Sequence, residues 1–184
     1  DLPGITFPHF ISESYQELKT GQKQLLKKTE RLYTQGDLLS EERVFDATGT
    51  YLYSLFYKYN DRRELISETN ALGETTCYGY DDHGNKIYEE KLNSGKKTNF
   101  IYDKANHLTQ ELEEHRDHLF IKTYEYDPMG NLLSSKDIYG QKTSYQYDLS
   151  SREISCTDPL GNVEQKEYDA RGNITKVIDK DGYI

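Results

Sequence analysis

The side chains best suited to chemistry in this 184-residue chain lie in the run Glu113-Glu114-His115-Arg116-Asp117-His118. Two imidazoles beside carboxylates are donors of the kind that hold a divalent metal. His115 and His118 are therefore the metal candidates, set against the plainer reading of a solvated, charged loop. Asp179-Lys180-Asp181-Gly182 has the opening pattern of a calcium loop, and the chain stops before the twelfth loop position. The same four residues also spell a turn. No G-x-S-x-G occurs, and neither Cys77 nor Cys156 stands near a histidine, so no nucleophile signature is present. Two cysteines are too few for a disulfide framework or a zinc site; one bridge between them and two buried thiols both remain open. Asn173-Ile174-Thr175 is a glycosylation sequon. No catalytic residue, resident metal or cofactor is expected.

The commonest acid-bearing pair is Tyr followed by Asp. It recurs as Tyr80-Asp81, Tyr102-Asp103, Tyr126-Asp127, Tyr147-Asp148 and Tyr168-Asp169, with Tyr59-Asn60 as a weaker copy. The intervals run from 21 to 24 residues. A catalytic pair is needed once, whereas a fixed period near twenty marks an array of supersecondary units. Two positions before each pair stands another aromatic (Tyr57, Tyr78, Phe100, Tyr124, Tyr145), and Lys166 alone breaks that series. A second pattern is Asp followed three residues later by Gly, as in Asp81/Gly84, Asp127/Gly130, Asp158/Gly161 and Asp169/Gly172. Eight such pairs occur, where 15 Asp and 13 Gly placed at random would make about one.

These spacings define elements. Asp at the first position of a turn accepts backbone amide hydrogens, and Gly at the fourth accepts the positive φ of a type I turn with a G1 bulge. Subtracting the turns leaves strands of about seven residues. Each unit reads as strand, tight turn, strand, tight turn. The position seven after the repeat tyrosine is mostly apolar (Ile66, Ile87, Leu133, Ile154) and predicts a second ridge along the array. Residues 57–184 carry clear repeats and 31–56 degenerate ones, where Gly36-Asp37-Leu38-Leu39 resembles Gly130-Asn131-Leu132-Leu133. Residues 1–30 read as a separate segment, helical or capping: Tyr15, Leu18, Leu25, Leu26 and Leu32 approach helical spacing over 12–30.

Composition agrees with a thin, repetitive sheet. Mean hydropathy is −0.92, net charge −9, and 17 Tyr stand against no Trp and one Met. Tyr offers a large apolar ring with a polar end, and the period predicts that rings of neighbouring units stack. No apolar run is long enough for a membrane span and no signal peptide is visible. The acidic balance argues against nucleic-acid binding. A start at Asp1-Leu2-Pro3 reads as a piece of a longer protein.

The pattern Y-x-Y-D-x-x-G-N-L in Tyr124–Leu132 resembles the RHS/YD-repeat family, as do Tyr145–Asp148, Asp158–Asn162 and Tyr168–Ile174. The resemblance implies a mostly β, antiparallel hairpin strip that spirals into a hollow shell. In bacterial RHS and toxin-complex proteins that shell encloses a C-terminal toxin; in teneurins it serves adhesion. By the same resemblance the protein is secreted or cell-surface, and its partners are the rest of a larger chain and a toxin cargo. Asp158-Pro159-Leu160-Gly161 has the form of the motif at which RHS cores cleave themselves, but an ordinary repeat follows it, so it reads as a turn. The expected role is a non-catalytic shell segment. The alternative is a Tyr-rich surface that binds a glycan or surface receptor, since aromatic rings stack on sugars. Tyr packed between strands favours the first, and several Tyr exposed together favour the second.

Overall fold

The computed structural model of the chain describes residues 10–17 and 23–183. Among these the chain is all β. Fifteen antiparallel strands follow one another in chain order in one open sheet. By contact the chain divides into two compact units, residues 1–97 and 98–184.

The first unit holds β1 (Phe10–Glu17), β2 (Lys23–Tyr33), β3 (Leu39–Asp46), β4 (Tyr51–Tyr59), β5 (Leu65–Thr69), β6 (Thr75–Tyr80) and β7 (Lys86–Lys91). The chain passes from one unit to the other within β8 (Lys96–Tyr102). The second holds β9 (Leu108–His115), β10 (His118–Tyr126), β11 (Leu132–Lys136), β12 (Lys142–Tyr147), β13 (Glu153–Thr157), β14 (Val163–Tyr168) and β15 (Ile174–Ile178).

The helix expected over 12–30 is not formed. Residues 10–17 and 23–33 are strands, and Gly21 lies outside the described residues. Pairing overrides the helical spacing here, as local propensity yields to long-range partners. β2 pairs β3 from Lys27 to Tyr33, and Thr29, 5% exposed, lies opposite Val44. The strand period separates Leu25 from Leu26, leaving Leu26 exposed.

Val44, 1% exposed, is the one buried hydrophobic side chain of the described residues. The other buried positions are small and polar: Thr29, Ser54, Ser134 and Ser155. A single sheet has no second layer to close a core. Backbone ladders and cross-strand side-chain pairs therefore carry the stability.

Most hairpins of the repeats come in two kinds, apart from the two-residue turn between β9 and β10. In those that turn after the repeat tyrosine, the partner strand carries an extra residue. Tyr126 pairs Leu132 while Glu125 pairs Ser134, so Leu133 is bulged. Ile154, Ile66 and Ile87 are bulged in the same way. The seventh position is thus the bulge of these hairpins, with Thr175 in that place after Tyr168. Hairpins turning after Thr69, Lys136 and Thr157 keep an even register. A bulge re-aims side chains and raises local twist, which sets the two kinds of connection apart.

Candidate functional site

Consecutive connections of a meander fall on alternate edges of the sheet, so within each unit the Tyr-Asp turns share one edge. Each turn is closed by the same bonds. At Asp127, Oδ1 accepts the amides of Met129 (2.8 Å) and Asn131 (2.9 Å), and Oδ2 accepts Asn131 Nδ2 (2.8 Å). The Gly130 amide donates to the Asp127 carbonyl at 3.0 Å, and Gly130 has φ +87°. Asp81 and Asp169 repeat this set with Asn85 and Asn173, and so, in the turn after Thr157 on the other edge, does Asp158 with Asn162. Gly84, Gly161 and Gly172 are likewise at positive φ. At Asp148 the Asn is replaced by Arg152, whose Nε donates to Oδ2 at 2.6 Å; at Asp103 it is replaced by His107.

These donors favour the charged carboxylate. Asp158 is held at about 2, chiefly by Asn162 Nδ2, with further bonds from backbone amides and Lys180. Asp81, Asp127, Asp148 and Asp169 are lowered with a side-chain hydrogen bond as the main cause, and Asp103 is lowered first by the His107 amide.

Several turns hide from the Asp-x-x-Gly pattern. Asp37, Arg63, Asn106 and Ser151 occupy the glycine position at φ +57° to +66°. In the first of these Thr34 Oγ1 takes the amides of Gly36 and Leu38. The match is therefore Asp37 with Gly130, one residue out of step with the alignment of Gly36 on Gly130.

The repeat tyrosines do not stack ring on ring from unit to unit. Like positions lie two strands apart, about 9.6 Å, beyond the roughly 7 Å reach of an aromatic pair. Their hydroxyls span the gap instead. Tyr80 donates to the Leu65 carbonyl (2.9 Å) and Tyr168 to the Glu153 carbonyl (2.7 Å). Two positions earlier, Tyr78 donates to Glu68 and Tyr124 to Glu111. Burial, then the Glu111 bond, pushes the Tyr124 phenol up to about 12. Lys166, the break in the aromatic series, keeps a donor at this position by bonding Glu153 at 2.7 Å.

Over the repeat rings, or bonded to the turns that follow them, lie side chains that spacing alone does not single out. Arg152 places its guanidinium 4.9 Å from the Tyr168 ring centre and donates to the Asp169 carbonyl at 3.0 Å. His107 stacks on Tyr126 at 4.8 Å. Arg62 donates to the Asp81 carbonyl at 2.7 Å. The signal is positional: each stands three or five residues after a repeat tyrosine.

The metal candidates sit elsewhere. His115 pairs His118 across a two-residue turn, Arg116-Asp117, with both φ positive. The extra length of this repeat is spent in longer strands, not in the expected loop. His118 Nδ1 lies 2.8 Å from the Arg116 carbonyl and its ring stacks on Phe120. Among the described residues no group of three or more His, Cys, Asp or Glu could hold a metal. Asp179–Gly182 closes as a repeat turn, with Asp179 Oδ1 accepting the amides of Asp181 and Tyr183. Cys77 and Cys156 are both free thiols, and burial pushes the Cys156 thiol up. No helix of the described residues is long and apolar enough to cross a membrane.

The fold and its recurring turn define a tandem β-hairpin repeat protein. The family model described as RHS Repeat matches residues 151–184. The tRNA3(Ser)-specific nuclease WapA of Bacillus spizizenii is 33% identical over 165 residues, covering 86% of this chain and 7% of that protein. The probable deoxyribonuclease RhsB of Dickeya dadantii is 26% identical over 174 residues, covering 91% of this chain and 11% of that protein. The crystal structure of TcdB2-TccC3 matches 93% of this chain and 11% of its own at a TM-score of 0.54 and 17% identity. The chain belongs to the RHS/YD-repeat family. It spans only a small part of the length of the curated relatives it matches.

Proposed function

We propose that the chain is a non-catalytic wall segment of an RHS-type β-shell that encloses or presents a toxin carried on the same longer polypeptide, outside the cell that makes it. The observation that carries this reading is the same bond set closing one Tyr-Asp turn after another along one edge of the second unit, and again at Asp81 in the first. Chemistry needs one site; a surface needs many like parts. The relatives support it as well: their names state nuclease activity, while this repeat stretch covers 7–11% of their length. The residues Tyr80, Asp81, Gly84, Tyr102, Asp103, Tyr126, Asp127, Gly130, Tyr147, Asp148, Asp158, Gly161, Tyr168, Asp169 and Gly172 act in this reading as structural residues of the repeat. Engagement of the Tyr78, Tyr80, Tyr124 and Tyr168 hydroxyls within the sheet favours a wall over a glycan-binding platform.

Limited proteolysis of the parent chain tests the reading. The segment after the repeats should resist protease in the intact parent and become sensitive when Gly130→Val and Gly172→Val break two turns. Equal sensitivity before and after those substitutions would overturn it.

A further inference from the structure

The turn edge contains one kind of notch in two states. Each notch lies above a repeat tyrosine ring, between the turn that precedes it by one unit and the turn that follows that tyrosine. Above Tyr168 it is filled from within the chain. Arg152 of the preceding turn lies over the ring and donates to the carbonyl of Asp169. Above Tyr126 it is filled by His107, whose Nε2 would stand 2.9 Å from a Cβ on Gly130. In the first unit Arg62 donates to the equivalent carbonyl, that of Asp81.

Above Tyr147 the corresponding side chain is Asn131, which is too short to reach the ring and is spent on Asp127 Oδ2. The notch there stays open, a cavity of about 450 Å³ lined by Asp127, Met129, Leu133, Tyr145, Tyr147 and Asp148, among others. Its chemistry matches that of the filled copy. The Tyr147 ring faces it, and the Asp148 carbonyl accepts the Ser151 amide at 3.0 Å with a second lone pair remaining. Two carboxylates, Asp127 and Asp148, flank it; Asp148 Oδ2 is already taken by Arg152 at 2.6 Å, so the charge open to a newcomer is chiefly that of Asp127. Exposed Met129 and Leu149 offer apolar surface for an aliphatic stem.

We propose that the notch above Tyr147 is a docking site for the arginine side chain of another polypeptide segment. That guanidinium would repeat in trans what Arg152 does in cis: lie on the ring and donate to the carbonyl of the turn aspartate. A planar cation suits both contacts at once, because it stacks on an aromatic face while its edge donates hydrogen bonds. Lysine, a point charge, meets the ring but not the fork geometry. An aliphatic side chain meets neither the carbonyl nor the carboxylates.

The test is an NMR titration of the 184-residue chain with three capped tripeptides, acetyl-Gly-X-Gly-amide with X as arginine, citrulline or leucine. The arginine probe should give saturable shifts at the Tyr147 ring and the Asp148–Leu149 amides, and weaker ones at the equivalent open notch of about 460 Å³ at Tyr59, whose lining of Thr34, Leu38 and Asn60 carries no carboxylate. It should bind about tenfold more tightly than the citrulline probe, since only the first makes charge-assisted bonds. Asn131→Arg should remove the Tyr147 shifts by closing that notch from within. Arg152→Asn should add a further set at Tyr168. Equal binding of the citrulline or leucine probe to the unaltered chain would overturn the proposal, and so would arginine shifts at Tyr147 that persist in Asn131→Arg. The comparison of probes needs no variant, so it stands even where a variant fails to fold.

Discussion

The turn aspartates do most of the chemical work in this chain, and the work is holding backbone. Oδ1 of Asp158 takes the amides of Leu160 and Asn162 and Oδ2 takes Asn162 Nδ2. Such a carboxylate stabilises the fold only while charged. Its pKa is about 2 in the folded chain against about 3.9 unfolded. A depressed value means the contribution is complete above pH about 4 and is lost as pH falls through about 2. Asp81, Asp103, Asp127, Asp148 and Asp169 shift in the same direction. Thermal melts by circular dichroism should therefore hold a constant midpoint from pH 7 to about 4 and fall steeply below it. Asp158→Asn should melt earlier at pH 7 and lose less between pH 4 and 2. The glycine position makes a second prediction. Ser151 stands at φ +57°, so Ser151→Gly should stabilise by about 1 kcal/mol in urea unfolding. Gly172→Ala should cost about 1 kcal/mol from backbone strain alone, because nothing lies within 4 Å of its Cβ. The Asp and Gly were legible from spacing. Asp37, Arg63, Asn106 and Ser151 were not, because a non-glycine residue can hold that position at a cost of about 1–2 kcal/mol that the rest of the hairpin repays, and Thr34 was not because its hydroxyl stands in for the carboxylate.

Hairpins, as elements, are legible in the turn spacing of the sequence; their bulged register is not. Position seven after the tyrosine is the bulged residue, outside the even ladder; where it is apolar, as at Leu133 and Ile154, it lines a notch, while Thr175 and Ser40 take the same place with polar side chains. A bulge leaves no period of its own in a sequence. The first hairpin departs from the helical spacing of its sequence for a different reason: six of the eleven residues of β2 are Lys, Arg, Glu or Gln, which have little strand preference, and its ladder to β3 decides the outcome. One hairpin contains a size exchange that tests packing across it. Gly79 pairs Tyr88, and a Cβ on Gly79 would stand 2.1 Å from the Tyr88 ring. Gly79→Ala should cost roughly 1–3 kcal/mol. Tyr88→Ser in the same chain should recover much of that, since Lys58 and Gln146 pair Ser67 and Ser155 at the equivalent place. Full additivity of the two substitutions would contradict the packing described. Across a longer span, Tyr168→Phe should cost about 1 kcal/mol through loss of its bond to the Glu153 carbonyl.

At the scale of the whole chain, the low aliphatic content and the 17 Tyr have one cause. A single sheet buries one hydrophobic side chain among its described residues, Val44, so amphipathic rings and side-chain hydrogen bonds replace a core. Repetition was legible in the sequence; the notches between turns were not, because they depend on which long side chain happens to lie over which ring. A chain built this way should not have one centre of stability. Units that contact only their neighbours contribute in series. Native-state hydrogen exchange is the direct measure. The slowest amides should be spread along the inner strands of both units, in β3 to β7 and in β9 to β14, with protection similar from hairpin to hairpin. Slow exchange confined to one block around Val44, with the remaining hairpins unprotected, would contradict the account of a wall made of like parts.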